Sequence, residues 1–424
     1  MDRRTILKGI AAASAVPLLP VNMARAAELT KKYSGTQLKV MLGAGGGAFD
    51  VYKKMTEAFT AQTGITFDYT TLPDADYYSK IVLDIATNTN AFDAYLYTYF
   101  WKGELEPGFA DLEALVPTIE GAPDLGLDDY PGQVVEVYGR SNGKLIGLPV
   151  LGDATMLVWN TAQYKEAGLD PAAAPSTWEE VVANGLKLKA AGKNGFGLPA
   201  GKGYQVACLW MILFAKFGGE YFGPNFAPQF NSEPALKATK FMVDQLQPLA
   251  PSGNLTWDFS EMLDGLATGV SGQGMMWPGG FGRMLDPTQS AEAKNLAYRA
   301  TPDASLLGGW AVGVNDRSQN REAAALWAAY LASAEAQKQG PAPARISVLS
   351  DPELVKAHGQ YPAVLQALGG KLAQFPNVPQ SGQVVAYLYD ELNAAISGDK
   401  SAEDAMNDLQ NLVEDFIVAL NVRQ

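Results

Sequence analysis

Gln37-Leu38-Lys39-Val40-Met41-Leu42 alternates enough to form a strand, and Gly43-Ala44-Gly45-Gly46-Gly47 then ends it in a tight loop. From Phe49 to Thr63 apolar residues recur at helical spacing (Val51, Met55, Ala58, Phe59), and Gly64 stops the run. Ile65 to Thr70 predicts a second strand, Tyr77 to Thr87 a second helix, and Asp93 to Thr98 a third strand. Strand, helix, strand, helix, strand with short connections implies an α/β fold: a parallel sheet with helices on both faces.

Working outward, the pattern resumes after a crossover. Leu145 to Leu151 and Thr155 to Asn160 predict strands, Thr177-Trp178-Glu179-Glu180 opens a helix to about Ala191, and Phe196 to Pro199 predicts a short strand. Gln205 to Phe217 reads as an unusually apolar helix, followed by a Pro/Gly-rich stretch from Gly218 to Pro234 and two helices. Gly274 to Trp277 and Leu307 to Val314 are strand-like, the latter leading into an Ala-rich helix from Asn320 to Ser333. Three helices close the chain, the last from Ala402 to Leu420.

Ahead of the first strand, Arg3-Arg4 precedes a short Ala-rich apolar run, and Ala24-Arg25-Ala26 offers small residues at both positions a signal peptidase reads. Residues 1–26 are therefore expected to be a twin-arginine signal peptide, although Asp2 and Ile6 depart from the usual consensus. An ordinary secretory signal is the alternative. Pro17 and Pro20 interrupt the run, which is too short for a membrane anchor. The expected destination is the periplasm, with the chain free of the membrane. About 400 residues would remain, enough for two lobes rather than one core.

The whole chain carries 32 basic and 45 acidic side chains, a formal charge of −13. That balance disfavours nucleic acid and anionic lipid as partners. Cys208 is the single cysteine, so no intramolecular disulfide forms, and the apolar run around it predicts a buried thiol. His358 is the single histidine, which excludes a Ser-His-Asp triad and histidine-based metal sites. No cofactor and no metal is expected.

Candidate site residues cluster near glycines and strand ends. The strand ending at Tyr97 runs into Tyr99-Phe100-Trp101, and carboxyl ends of strands in an open α/β sheet face the binding crevice. Flat rings cover the C–H faces of sugars while polar neighbours take the hydroxyls. Trp277 and Phe281 flank Pro278-Gly279-Gly280, and Trp310 follows Gly308-Gly309. Asp153, beside Gly152 between two predicted strands, can accept two hydroxyl hydrogen bonds. Arg345 ends a Pro-rich connector. Each of these side chains has a plainer alternative, as a core ring, a surface charge or a structural ion pair.

Gly43 to Ala48 also fits G-x-G-x-x-A between strand and helix, with Asp68 twenty residues beyond. An exported dinucleotide-dependent oxidoreductase is therefore a second reading, weakened because Asp68 falls within the second strand. Gly45, Gly46 and Gly47 equally suit any ligand that approaches the backbone closely. A pair of carboxylates acting as a glycosidase is a third possibility that spacing cannot test.

Four segments together resemble extracellular solute-binding proteins of family 1, the carbohydrate-binding components of ABC importers. They are Leu148-Pro149 through Asp153 to Trp159-Asn160-Thr161 with Ala167-Gly168-Leu169-Asp170; Pro175-Ser176-Thr177-Trp178-Glu179-Glu180; Gly308-Gly309-Trp310-Ala311-Val312 with Ala323 to Leu331; and Arg345-Ile346-Ser347-Val348-Leu349 with Asp351-Pro352-Glu353. The likeness covers nearly all of the chain beyond the signal. It implies a two-lobe periplasmic-binding-protein fold with three hinge crossings (type II), one lobe from 36–150 plus 306–344 and the other from 151–305 plus 345–424. It further implies a non-enzymatic, monomeric receptor that holds a sugar, oligosaccharide or polyol in the cleft and delivers it to ABC permease subunits. Carried over by position, Tyr97, Asp153, Phe281, Gly309 and Trp310 would line the cleft, with Trp277 close enough to substitute for Phe281.

Overall fold

The computed structural model describes residues 29–43, 48–72, 74–340 and 342–420. The signal segment 1–26 and the Gly45-Gly46-Gly47 loop therefore lie outside the described residues.

The chain begins as the sequence predicts: β1 (Gln37–Gly43), α1 (Ala48–Thr63), β2 (Thr66–Leu72), α2 (Asp74–Thr87) and β3 (Ala94–Tyr97). β1 pairs in parallel with both β2 and β3. Its side chains alternate between two cores, because successive residues of a strand point to opposite faces. Leu38, Val40 and Leu42 pack with Met55 and Phe59 of α1, whereas Met41, Tyr95 and Tyr97 pack with Tyr77 and Ile81 of α2. Both faces of the sheet are thus covered. Asp68 lies opposite Lys39 in the middle of the β1–β2 pairing, exposed and away from the carboxyl end where a ribose-binding acid would be needed.

The sheet is not wholly parallel. β4 (Leu148–Leu151) leads out of it into β5 (Met156–Asn160) of a second sheet. After α3 (Trp178–Ala190) and α4 (Tyr204–Lys216), β6 (Gln273–Met276) and β7 (Leu296–Ala300) flank β5, both antiparallel to it. β8 (Trp310–Val314) then returns to the first sheet between β3 and β4, antiparallel to both. The reason is connectivity. A strand that re-enters from the end where β4 leaves must run the opposite way. The expected strand at Phe196–Pro199 is reduced to a parallel bridge from Gly197 to Gly274 on the outer side of β6. α5 (Arg321–Ala332) closes the face already covered by α1, and α6 (Tyr361–Gly369), α7 (Ser381–Ser397) and α8 (Ala402–Ala419) end the chain.

Three crossing segments lie side by side between the sheets. Gly152 N donates to Ala342 O (3.0 Å), Thr155 N to Leu306 O (3.0 Å) and Gly308 N to Asp153 O (2.8 Å). The result is a two-lobe α/β fold with three hinge crossings.

Gly309 is the tightest point of this hinge. Its φ is +91°, and a Cβ there would stand 2.3 Å from Leu151 O and 2.4 Å from Tyr138 Oη. Gly309→Ala combines left-handed strain with a clash against backbone, and should destabilise the fold by more than about 2 kcal/mol in chemical denaturation. Gly279→Ala, whose Cβ would meet no heavy atom within 4 Å, should change stability by less than about 0.5 kcal/mol.

Candidate functional site

β8 enters through Gly308-Gly309-Trp310, and most of the side chains singled out by sequence gather around these three residues. A Cβ on Gly308 would lie 2.4 Å from Cζ3 of Trp277, so the glycine lets the indole rest on the hinge backbone. Trp277, at the end of β6, is 8 % exposed and donates from Nε1 to Gln205 Oε1 (2.7 Å) at the start of α4. Trp310 is partly exposed. Its ring meets Trp101 edge-on, with centroids 5.7 Å apart at 88°, and Tyr77 at 6.1 Å. Trp101 is buried against Tyr77 and Tyr78 in turn. Tyr99 holds the same hinge strand from below, donating to Leu307 O (2.9 Å), accepting from Phe375 N (2.9 Å) and stacking on Tyr138.

Asp153 sits directly beside this strand. It is 9 % exposed, its backbone carbonyl takes the Gly308 amide, and its Oδ1 has no hydrogen-bond partner among the described residues. Burial alone pushes the carboxyl up to about 7. Tyr138, whose hydroxyl donates to Gly308 O, is raised well above the usual phenol value by burial first and the Asp153 charge second. Tyr52 of α1 responds in the same order, and its buried hydroxyl is also unpartnered.

Three of the sequence-derived candidates have other tasks. Tyr97 is fully buried on the α2 face of β3, donating to Tyr138 O (2.8 Å) and meeting Phe109 edge-on. Phe281 is buried against Tyr298, centroids 5.0 Å apart at 83°, inside the second lobe. Arg345 lies over the Tyr130 ring and spends its guanidinium on the protein itself. It donates to Ala332 O, to Gly126 O (3.0 Å), to Leu125 O (2.7 Å) and to Asp129 Oδ2 (3.4 Å). The expectation that these three meet a ligand is corrected: each is a structural side chain whose rings or donors are already engaged.

Tyr52, Tyr77, Tyr138 and Gln205 belong to the arrangement but were not singled out by sequence. Only the Tyr77-Tyr78 pair, at a helix start facing a strand end, carried a readable signal. Grooves of about 320 Å³ between α1 and β2 and about 570 Å³ beside Pro224–Pro228 lie elsewhere on the surface. Among the described residues no group of three or more His, Cys, Asp or Glu side chains could hold a metal ion, and no helix is long and apolar enough to cross a membrane.

A partly exposed indole backed by buried rings, on the strand whose Gly308 binds a residue with a donor-less carboxyl oxygen, can serve a small solute that offers both an apolar face and hydrogen-bond donors. With a raised pKa, Asp153 keeps its proton in the folded chain between about pH 4 and 7, where the unfolded chain has lost it. Stability therefore falls as pH rises across that window. Asp153→Asn should leave the unfolding free energy of the ligand-free protein unchanged near pH 4 and raise it at pH 8 by up to about 4 kcal/mol in calorimetry.

Residues 38–338 match the family of bacterial extracellular solute-binding proteins. A probable amino-acid ABC transporter periplasmic-binding protein of Sinorhizobium fredii is 46% identical over 427 residues, 98% of each chain. The mannitol-binding protein of Pseudomonas aeruginosa is 28% identical over 277 residues, 60% of this chain and 59% of its own. An ABC transporter solute-binding protein of Agrobacterium radiobacter K84, solved in complex with ribitol, has the same fold, with a TM-score of 0.80 at 21% identity over 90% of this chain and 99% of that one. With its lobes, its three crossings and this match, the chain belongs to the bacterial extracellular solute-binding proteins.

Proposed function

We propose that this protein is the receptor of an ABC importer for a neutral, polyhydroxylated solute, a sugar or a polyol, held at Asp153, Trp277 and Trp310, with Trp101 and Tyr99 packed behind them as supports. The observation that carries the proposal is the unpartnered Oδ1 of Asp153, whose carbonyl binds the Gly308 amide between the Trp277 indole and the partly exposed Trp310 two residues on. A ring covers C–H groups, and a carboxylate accepts hydroxyls more strongly than a neutral acceptor does.

The 46% identical relative is described as a probable amino-acid receptor, which favours a zwitterionic solute as the second reading. A free amino acid also needs a cation for its carboxylate. Arg345 is committed to carbonyls and Asp129. Lys102, brought down to about 8 chiefly by burial, donates to Arg140 O (2.8 Å) and Glu136 O (3.3 Å). The mannitol-binding relative agrees with a neutral ligand.

The working cycle follows from the hinge. Residues 36–150 plus 306–344 would form one lobe and 151–305 plus 345–424 the other, exported behind the segment 1–26 by the twin-arginine route. Solute touching both lobes favours the closed form, which the permease then recognises. Moving from mostly open to mostly closed requires about 5.5 kcal/mol of tighter binding to the closed form.

Titration calorimetry against polyols, mono- and oligosaccharides and the common amino acids is the test. Binding within the first two groups alone supports the proposal, and binding confined to amino acids defeats it. Trp310→Ala should weaken the bound solute by about 10- to 100-fold, since a stacked ring is worth roughly 1.5–3 kcal/mol.

A further inference from the structure

We infer that Tyr52 is a ligand-contacting residue paired with Asp153, that the two take neighbouring hydroxyls of one solute, and that capture of the solute expels the proton from Asp153. This rests on the proposal that the solute is neutral and hydroxyl-rich.

The geometry supplies a complementary pair of vacancies. Tyr52, 4 % exposed on α1 of the first lobe, has a hydroxyl donor with no acceptor among the described residues. Asp153, on the first hinge crossing, has a carboxyl oxygen with no donor. The Asp153 charge adds to burial in raising the Tyr52 phenol, yet the two groups do not bond to each other. A buried donor and a buried acceptor left open, near enough for the Asp153 charge to act on Tyr52, invite a third group that can satisfy both. Adjacent hydroxyls of a polyol do so: one donates to Asp153 Oδ1, and its neighbour accepts from Tyr52.

The proton follows from what surrounds the carboxyl. Tyr52 faces it from α1 and Tyr138 from the short helix Val134–Tyr138, both neutral at physiological pH because burial raises them. The third neighbour is the uncharged Gly308 backbone. Burial is the only influence on Asp153, with no cation offsetting it, so the carboxyl titrates at about 7 in the empty site. Hydroxyls donating to it favour the ionised form and lower that value. Binding and proton release are therefore linked, and affinity rises as pH rises through the neutral range.

The test uses whichever sugar or polyol binds in the calorimetric panel, starting with D-mannitol and ribitol, titrated from pH 5 to 8 in two buffers of different ionisation enthalpy. Wild type should lose affinity below pH 7, by up to tenfold per unit, and release up to one proton per solute near neutrality. Asp153→Asn should bind more weakly with no pH slope and no proton release. Tyr52→Phe should keep its melting temperature, keep the pH slope and lose about tenfold in affinity. The double variant should lose less than the product of the two single losses. A flat wild-type profile, a slope retained in Asp153→Asn, or a Tyr52→Phe protein that binds as tightly as wild type would each overturn the inference while leaving the sugar receptor standing; the last result would mean that solvent alone fills the corner. If no sugar or polyol binds at any pH, the receptor proposal fails and this one goes with it.

Discussion

The hydrogen bonds among the three crossing segments are the constraint on which the rest of the molecule depends. Each crossing pairs with another through main-chain groups, from Gly152 to Ala342, Thr155 to Leu306 and Gly308 to Asp153. The side chains reinforce the same segments. Thr155 Oγ1 accepts from Leu306 N (2.8 Å), Thr301 Oγ1 donates to Ala304 O (2.7 Å), and Gln337 Oε1 accepts from Ala344 N (2.8 Å). Every buried backbone group in this narrow neck must find a partner, because no helix or broad sheet is present to supply one. That requirement fixes the spacing of the crossings to within a hydrogen-bond length, and with it the separation of the two sheets.

The position of the site is a consequence of that neck. Asp153 cannot move without disturbing the bond its carbonyl makes to Gly308, and Trp277 rests on that same glycine from the second lobe. Trp310 follows two residues later on a strand anchored in the first lobe. Groups from both sheets are thereby held around a single backbone segment. Such a place is suited to sensing the angle between lobes, because a small rotation changes the gap between rings that start from different sides.

Much of this was legible in the sequence. β1, α1, β2, α2 and β3 were read to within a few residues because alternation and helical spacing change abruptly at Gly43 and Gly64. The direction of β8 was not, since strand orientation depends on where the chain re-enters, more than two hundred residues after β3. β7 was missed because Leu296-Ala297-Tyr298-Arg299-Ala300 is rich in good helix formers, and pairing along β5 overrides that preference. At the site, tryptophans next to paired glycines were readable as rings on exposed backbone. Tyr97 misled for a reason that strand geometry supplies: it shares a face with Tyr95 on a central strand, and that face is covered by α2. Arg345 misled because its carbonyl partners lie near residue 125, far away along the chain. The role of Tyr52 depends on an unmet hydrogen bond, which no spacing along the chain can reveal.

Two buried ionisable residues and a half-buried one separate structural from receptive chemistry. Arg345 reaches four acceptors and an aromatic face, so its charge is fully used by the fold. Glu104 is partly used: Oε1 accepts from Tyr78 (3.0 Å) and from the Gln380 amide, while Oε2 has no partner. Burial raises its pKa, and those bonds partly oppose the rise. Asp153 differs from both, because nothing the protein supplies lowers the carboxyl that burial raises. Native folds seldom leave a buried carboxyl in that state, since protein–protein partners would stabilise it at little structural expense. Where one persists on one of the three crossings between the lobes, bonded through its carbonyl to a segment that carries a partly exposed indole two residues on, the missing partner is best sought outside the chain.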